Sequence, residues 1–264
     1  MSDARVAEIP RKRVGAIDFS VLPLQQAIDV ILDLGRRPPE HGIAVHFANA
    51  YNVALAETDP MYRDLINAGD LVCSDGTPVV WAGRRLHKSL SAQWTRVYGP
   101  DVLTGVLNSS TQKSPRHYFL GSTPETLSLL MTRIASTWPD AHVVGFESPP
   151  FQTPTKGELA ERDRRIAESG ATLVWVGLGT PKQDIEVRRL ADSLTITALA
   201  VGAAFDFLAG TVSQAPEWMQ RSGLEWTYRL AQEPKRLGKR YLWGNPRFLL
   251  SVAKQARHRA SSER

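Results

Sequence analysis

The chain has 264 residues, 42% of them hydrophobic, which allows one large α/β domain or a domain with an appendage. Its single cysteine, Cys73, excludes an intrachain disulfide framework, argues against a cysteine-based zinc site and suits a reducing cytosol. Residues 221–264 carry eleven Lys/Arg against three Glu, a net +8 on a chain of +5, so a basic end on a body of −3 points to an anionic partner such as nucleic acid, anionic lipid or a diphosphate.

Residues 1–13 are polar, have no apolar stretch of a secretory leader, and are predicted to be a disordered lead-in. Leu22, Leu24, Ala27, Ile28, Ile31 and Leu34 recur at helical spacing, and Gly35 with Pro38 is expected to end that helix. Residues 43–47 form an apolar run predicted as a buried strand, with Asn49 at its turn into helix. Helical stretches follow at 53–56 and 61–68, broken near Asp59-Pro60. Residues 71–73 predict a second strand, Ser74-Asp75-Gly76-Thr77-Pro78 a turn, and 79–86 a helix. Tyr98-Gly99-Pro100-Asp101 opens another helix, with proline in its first turn.

From there one grammar repeats. Strands are predicted at 117–120, 142–146, 173–176 and 196–201, and helices at 125–137, 156–169 and 182–193. Alternating strands and helices imply a mainly parallel sheet covered on both faces, with ligands beyond the carboxyl ends of the strands. From Gly223 the pattern turns wholly helical, with predicted helices at 224–231, 235–243 and 248–256, the first two split at Pro234. The expected organisation is a catalytic domain at 14–222 and a basic helical appendage at 223–264. No stretch reaches the roughly 18 uninterrupted apolar residues of a membrane span, so a soluble or peripheral protein is expected.

Two strand-end turns, Gly121-Ser122-Thr123 and Gly177-Leu178-Gly179-Thr180, could bring backbone and a helix N-terminus to a phosphate. They could equally be ordinary capped turns. The dinucleotide fingerprint and the P-loop are both missing. Asp75 would reach the ligand crevice as a general base, or serve only as a cap. Asn49 could orient a hydroxyl or likewise cap its helix. No Asp-x-Asp occurs, and Asp184 and Glu186 on one helix would diverge by about 200°. The histidines lack ligand spacing, so no metal is expected. Tail residues Arg229, Arg236, Lys239 and Arg240 alternate with Trp226, Tyr228, Tyr241, Trp243 and Phe248. That mixture suits a lipid headgroup surface or a diphosphate clamp, and also a nucleic-acid patch.

Together these segments resemble the WecG/TagA/CpsF family of glycosyltransferases. The resemblance runs through Ala48-Asn49-Ala50, Ser74-Asp75-Gly76, Gly121-Ser122-Thr123, and Gly177 through Thr180 to Pro181-Lys182-Gln183-Asp184. It continues in Gly202-Ala203-Ala204-Phe205-Asp206-Phe207-Leu208-Ala209-Gly210 and Gly223-Leu224-Glu225-Trp226. It implies a Rossmann-like α/β enzyme, inverting and metal-independent, with no cofactor. The implied donor is UDP-N-acetylmannosamine or another UDP-sugar, and the implied acceptor is a sugar on a polyprenyl diphosphate. By the same resemblance Asp75 is the base, Asn49 an active-site residue and Gln183 a donor-site residue. Arg229 and Arg236 match family tail arginines, and Lys239 stands where some members have arginine. Phe47 departs from the usual family threonine, and Gln214 from a frequent arginine, which leaves the sugars open.

The expectation is therefore a cytoplasmic enzyme, peripheral at the inner face of the cell membrane and acting in cell-surface polysaccharide synthesis. Gly121, Ser122, Thr123, Gly177, Gly179, Thr180 and Gln183 would hold the nucleotide-sugar, and a homo-oligomer is compatible. A non-catalytic nucleotide-sugar binder and a nucleic-acid-binding protein are the rival readings, with nucleic acid not the expected partner.

Overall fold

A computed structural model describes residues 6–37 and 39–262. The chain begins with an antiparallel hairpin of β1 (Arg11–Val14) and β2 (Ile17–Ser20). Six further strands build one parallel sheet. They are β3 (Ile43–Ala48), β4 (Leu71–Ser74), β5 (Arg116–Gly121), β6 (His142–Glu147), β7 (Leu173–Gly177) and β8 (Thr197–Ala200), in the order β4-β3-β8-β7-β5-β6.

The helices are α1 (Leu24–Arg36), α2 (Ala50–Thr58), α3 (Pro60–Asn67), α4 (Thr77–Leu86), α5 (Gly99–Asn108) and α6 (Pro124–Thr137). After them come α7 (Lys156–Glu168), α8 (Lys182–Ser193), α9 (Ala204–Ala209), α10 (Glu217–Arg221), α11 (Glu225–Gln232) and α12 (Pro234–Ser262). Alternation along β3 divides them into layers. Ile43, Val45 and Phe47 face a core shared with Ile28 and Ile31 of α1, Val102 of α5, Leu130 of α6 and Phe205 of α9. Ala44 faces the opposite core, with Ile166 of α7 and Val187 and Leu190 of α8. A parallel sheet buried on both faces needs apolar side chains at nearly every strand position, which is why β3, β4, β7 and β8 read as short, mainly apolar runs, with His46, Ser74 and Thr197 as buried polar exceptions. The fold is Rossmann-like α/β.

Several elements differ from the sequence expectation. The lead-in is structured from residue 6, where the described residues begin: Ile9 is buried in the core, and Ile17 and Phe19 of β2 insert beside Val72 and Trp94 and carry β1 with them. Residues 1–5 lie outside the described residues. Helix α1 runs through Gly35 to Arg36, and the expected stop at Pro38 falls on a residue outside the description. Among the described residues the tail has two helices, not three: α12 continues without a break past Pro246. One proline removes a single i→i−4 bond, and packing on both sides of it holds the helix together. α12 lies along α2, Phe248 is buried beside Val53, Gln255 Oε1 accepts from Gly15 N at 2.8 Å, and Arg259 donates to the Leu86 carbonyl.

Candidate active site

A cleft of about 1000 Å³ opens across the carboxyl ends of the sheet. Its wall is assembled from the residues that follow each strand: Asn49 after β3, Asp75 after β4, Ser122 and Thr123 after β5, the loop 149–154 after β6, and residues 178–180 after β7. This is where open α/β sheets bind ligands, because the strand-end loops diverge there.

Asp75 sits half-buried at one end. Its Oδ1 accepts from the Gly99 backbone N–H at 3.0 Å, at the start of α5. Burial raises its pKa to about 6; the Gly99 bond and nearby Arg96 oppose that shift. Around it lies a latch that sequence reading missed. Arg96 donates from Nε to the Asp75 carbonyl at 3.1 Å, from Nη1 to Gln220 Oε1 at 2.8 Å and from Nη2 to Glu225 Oε2 at 2.7 Å. Its guanidinium lies 3.7 Å from the centroid of the Tyr98 ring, and the Tyr98 hydroxyl donates to Glu225 Oε1 at 2.8 Å. The first turn of α11 is thereby tied to the Asp75 turn, 150 positions away. The only prior signal was Glu225 in the Gly223-Leu224-Glu225-Trp226 segment.

Asn49 is the N-cap of α2. Its Oδ1 accepts from Tyr51 N at 3.0 Å, while its own N–H donates to Asn52 Oδ1. The cap uses the side-chain oxygen, and Asn49 lines the cleft. The phosphate-type turns are close-built. Gly121 has φ 131°, and a Cβ there would stand 2.5 Å from the Gly177 carbonyl oxygen. Gly121 therefore lets β5 and β7 end side by side, and Ser122 and Thr123 rather than Gly121 line the cleft. Thr123 also caps α6 by accepting from Thr126 N. Gln183 is buried and braces the opposite loop: Oε1 accepts from Gly179 N at 3.1 Å, and Nε2 donates to the Ala200 carbonyl at 3.2 Å. Gly177, Gly179 and Thr180 line the cleft with it.

The tail delivers three guanidinium groups, those of Arg229, Arg236 and Arg240. Arg236 is paired with Glu233. Arg229 lies against Phe207 and Arg240 against Tyr51, each with a buried Nε that has no hydrogen-bond partner. Burial, together with the charges of Arg229 and Arg236, pushes the Arg240 pKa down. Lys239 is exposed and does not line the cleft; its neighbour Arg240 does.

Asp184 and Glu186 diverge as their helical spacing requires. Asp184 turns into the body toward His46, and Glu186 pairs with Arg162 and Arg189. Among the described residues no group of three or more His, Cys, Asp or Glu is placed to hold a metal ion. No helix among them is long and apolar enough to cross a membrane.

The fold is thus a Rossmann-like α/β class, whose strand-end cleft joins a carboxylate of raised pKa to glycine turns and to the guanidinium groups of Arg229, Arg236 and Arg240. The chain belongs to the Glycosyl transferase WecG/TagA/CpsF family, which it matches over residues 12–262. It is therefore a glycosyltransferase of cell-surface polysaccharide synthesis, a family that uses a nucleotide-sugar donor and a lipid-linked acceptor.

Proposed function

We propose that the cleft carries out a single inverting transfer, without a metal, from a UDP-sugar of the N-acetylmannosamine type to a sugar on a polyprenyl diphosphate. The observation that supports this reading is the presence in one cleft of Asp75, with its raised pKa, and of Arg229, Arg236 and Arg240. Asp75 takes the proton from the acceptor hydroxyl as that oxygen bonds to the anomeric carbon. The bond from that carbon to the UDP oxygen breaks, and the electron pair leaves with UDP. The growing negative charge falls to the tail guanidinium groups, whose positions are set before the reaction. Asn49 orients a substrate hydroxyl through Nδ2, and the 121–123 and 177–180 turns with Gln183 shape the donor side. A screen of UDP-sugars against a short-chain lipid-diphosphate-linked N-acetylglucosamine, with mass detection of product, tests the reading. Absence of product from every pair sinks it.

The base must be ionised to accept a proton. With its pKa raised to about 6, Asp75 is protonated below that pH and charged above it. kcat/KM is expected to fall about tenfold per pH unit below 6 and to level off above it. A profile flat down to pH 4.5 contradicts the assignment. Transfer is also expected to survive EDTA, since the arginines carry the leaving-group charge. A loss in EDTA that Mg²⁺ or Mn²⁺ restores contradicts metal independence.

The exposed face of α12 is the proposed contact with an anionic membrane. Leu242, Leu249 and Leu250 are exposed and share one face by spacing, beside Lys239, Arg247 and Lys254. At about 1 kcal/mol per basic residue near an anionic surface, plus the inserted leucines, such a face holds a protein there. Leu249→Gln with Leu250→Gln is expected to weaken sedimentation with anionic liposomes about tenfold or more, while sparing transfer to a soluble acceptor analogue. Unchanged liposome binding removes α12 from the contact.

A further inference from the structure

Behind the cleft, where α2, α3 and α8 meet β3, four polar side chains form one buried chain. His46, Asn52 and Asp184 have 0% exposure and Tyr62 has 4%. The Asn49 backbone N–H donates to Asn52 Oδ1 at 3.0 Å, and Asn52 Nδ2 donates to the Tyr62 hydroxyl at 2.7 Å. That hydroxyl donates to Asp184 Oδ2 at 3.1 Å, and His46 Nδ1 lies 3.1 Å from Asp184 Oδ1. His46 Nε2 has no hydrogen-bond partner among the described residues, where the Asp184 carboxylate is the ring's one hydrogen-bonding contact.

The donors run in one direction, from the Asn49 turn to Asp184. Burial first, and Asp184 next, push the Tyr62 pKa well above the usual phenol range, so its hydroxyl keeps its proton and stays a donor. Apolar side chains could fill this space without risking an unpaired polar atom. What they could not do is fix orientation. Each end of the chain sits one step from a lip of the cleft. Asn52 holds the turn that carries Asn49. Asp184 follows Gln183, whose amide holds Gly179 and Ala200.

We propose that Tyr62 is a positioning residue: with Asn52 and Asp184 it locks the turn after β3, bearing Asn49, to the first turn of α8, where Gln183 braces the loop after β7. The spacing of the two lips then depends on one buried hydroxyl that no substrate touches.

The test has a ligand-free arm. Tyr62→Phe keeps the ring and leaves Asn52 and Asp184 each short of a partner. Backbone amide exchange, read residue by residue by NMR, is expected to quicken about tenfold at Asn49 and Gly179 and to stay unchanged in β5 and β7. Asn52→Ala, which cuts the chain at its other end, is expected to quicken Gly179 as well. Unchanged exchange at both amides, or a rise spread evenly through the fold, overturns the proposal.

The second arm rests on the nucleotide-sugar reading and uses the donor–acceptor pair found in the screen. Tyr62→Phe is expected to lower kcat about tenfold with KM for the donor within about twofold, and to cost nothing more in an Asn49→Ala background. An equal loss in both backgrounds overturns the proposal, since a general structural defect would add. If the wild-type chain binds no UDP by calorimetry, the nucleotide-sugar reading falls, and the exchange arm alone decides the positioning role.

Discussion

Asp75→Asn is expected to reduce turnover by about 10²–10⁴ while leaving the fold and UDP affinity in place, because it removes the proton acceptor and little else. The asparagine Oδ1 can still accept from the Gly99 N–H that now bonds Asp75 Oδ1 at 3.0 Å. The loop therefore keeps its shape. Stability should change in the opposite sense to activity. A carboxyl whose folded pKa is raised, here to about 6, gives stability below its unfolded pKa and loses it as pH rises through the folded value. At pH 7.5 the wild-type protein holds a partly buried charge that the amide lacks. The variant is expected to melt at an equal or higher temperature at pH 7.5, with the difference shrinking by pH 5. Wild-type turnover in the purified variant would remove Asp75 from the chemistry. A large drop in melting temperature would mean that the carboxylate serves the fold instead.

The paired change Arg229→Ala with Arg240→Ala is expected to lower kcat/KM about 10³-fold, the second of the two largest effects. Removing one preorganised donor from a developing charge typically costs about 10²–10³ in rate. Loss of both leaves Arg236, already neutralised by Glu233, as the remaining tail guanidinium in the cleft. Neither Arg229 Nε nor Arg240 Nε has a partner in the free protein. Their loss therefore breaks no hydrogen bond at Nε, and it removes in Arg240 a cation disfavoured first by burial and then by Arg229 and Arg236. The double variant is expected to stay folded, bind UDP more weakly by calorimetry and transfer poorly even to a soluble acceptor. If transfer to the soluble analogue is intact and only liposome binding suffers, these arginines serve the membrane and not the leaving group.

Much of the frame was legible in the chain because the signals are local. Most strands of the parallel sheet are short, mainly apolar runs bounded by a turn, and helices such as α1 repeat an apolar face within a dozen residues. The rule that ligands lie beyond strand ends then places Asn49, Asp75, Ser122 and Gly179 around one opening, and the structure brings all four there. The hairpin was hidden because β1 reads Arg-Lys-Arg-Val, with three exposed positions. Its pairing depends on Ile17 and Phe19 finding a distant core. The tail helix was cut too often because Pro246 is a local stop signal that the docking of Phe248 overrides.

The site chemistry was less accessible. Composition places a cation near positions 239 and 240, but neighbouring helical residues point about 100° apart. Which of the two enters the cleft is decided by the face α12 lays on α2, and that face selects Arg240. The Arg96–Glu225 latch and the Asn52–Tyr62–Asp184 chain join residues 129, 10 and 122 positions apart. No period or spacing encodes such contacts. By itself, the sequence determined the layers, the strand-end loops and the candidate base. The tertiary structure decided which charges are paired, which guanidinium groups line the cleft and which buried bonds join its two lips, because hydrogen bonding and desolvation depend on distances that arise only when separate elements pack.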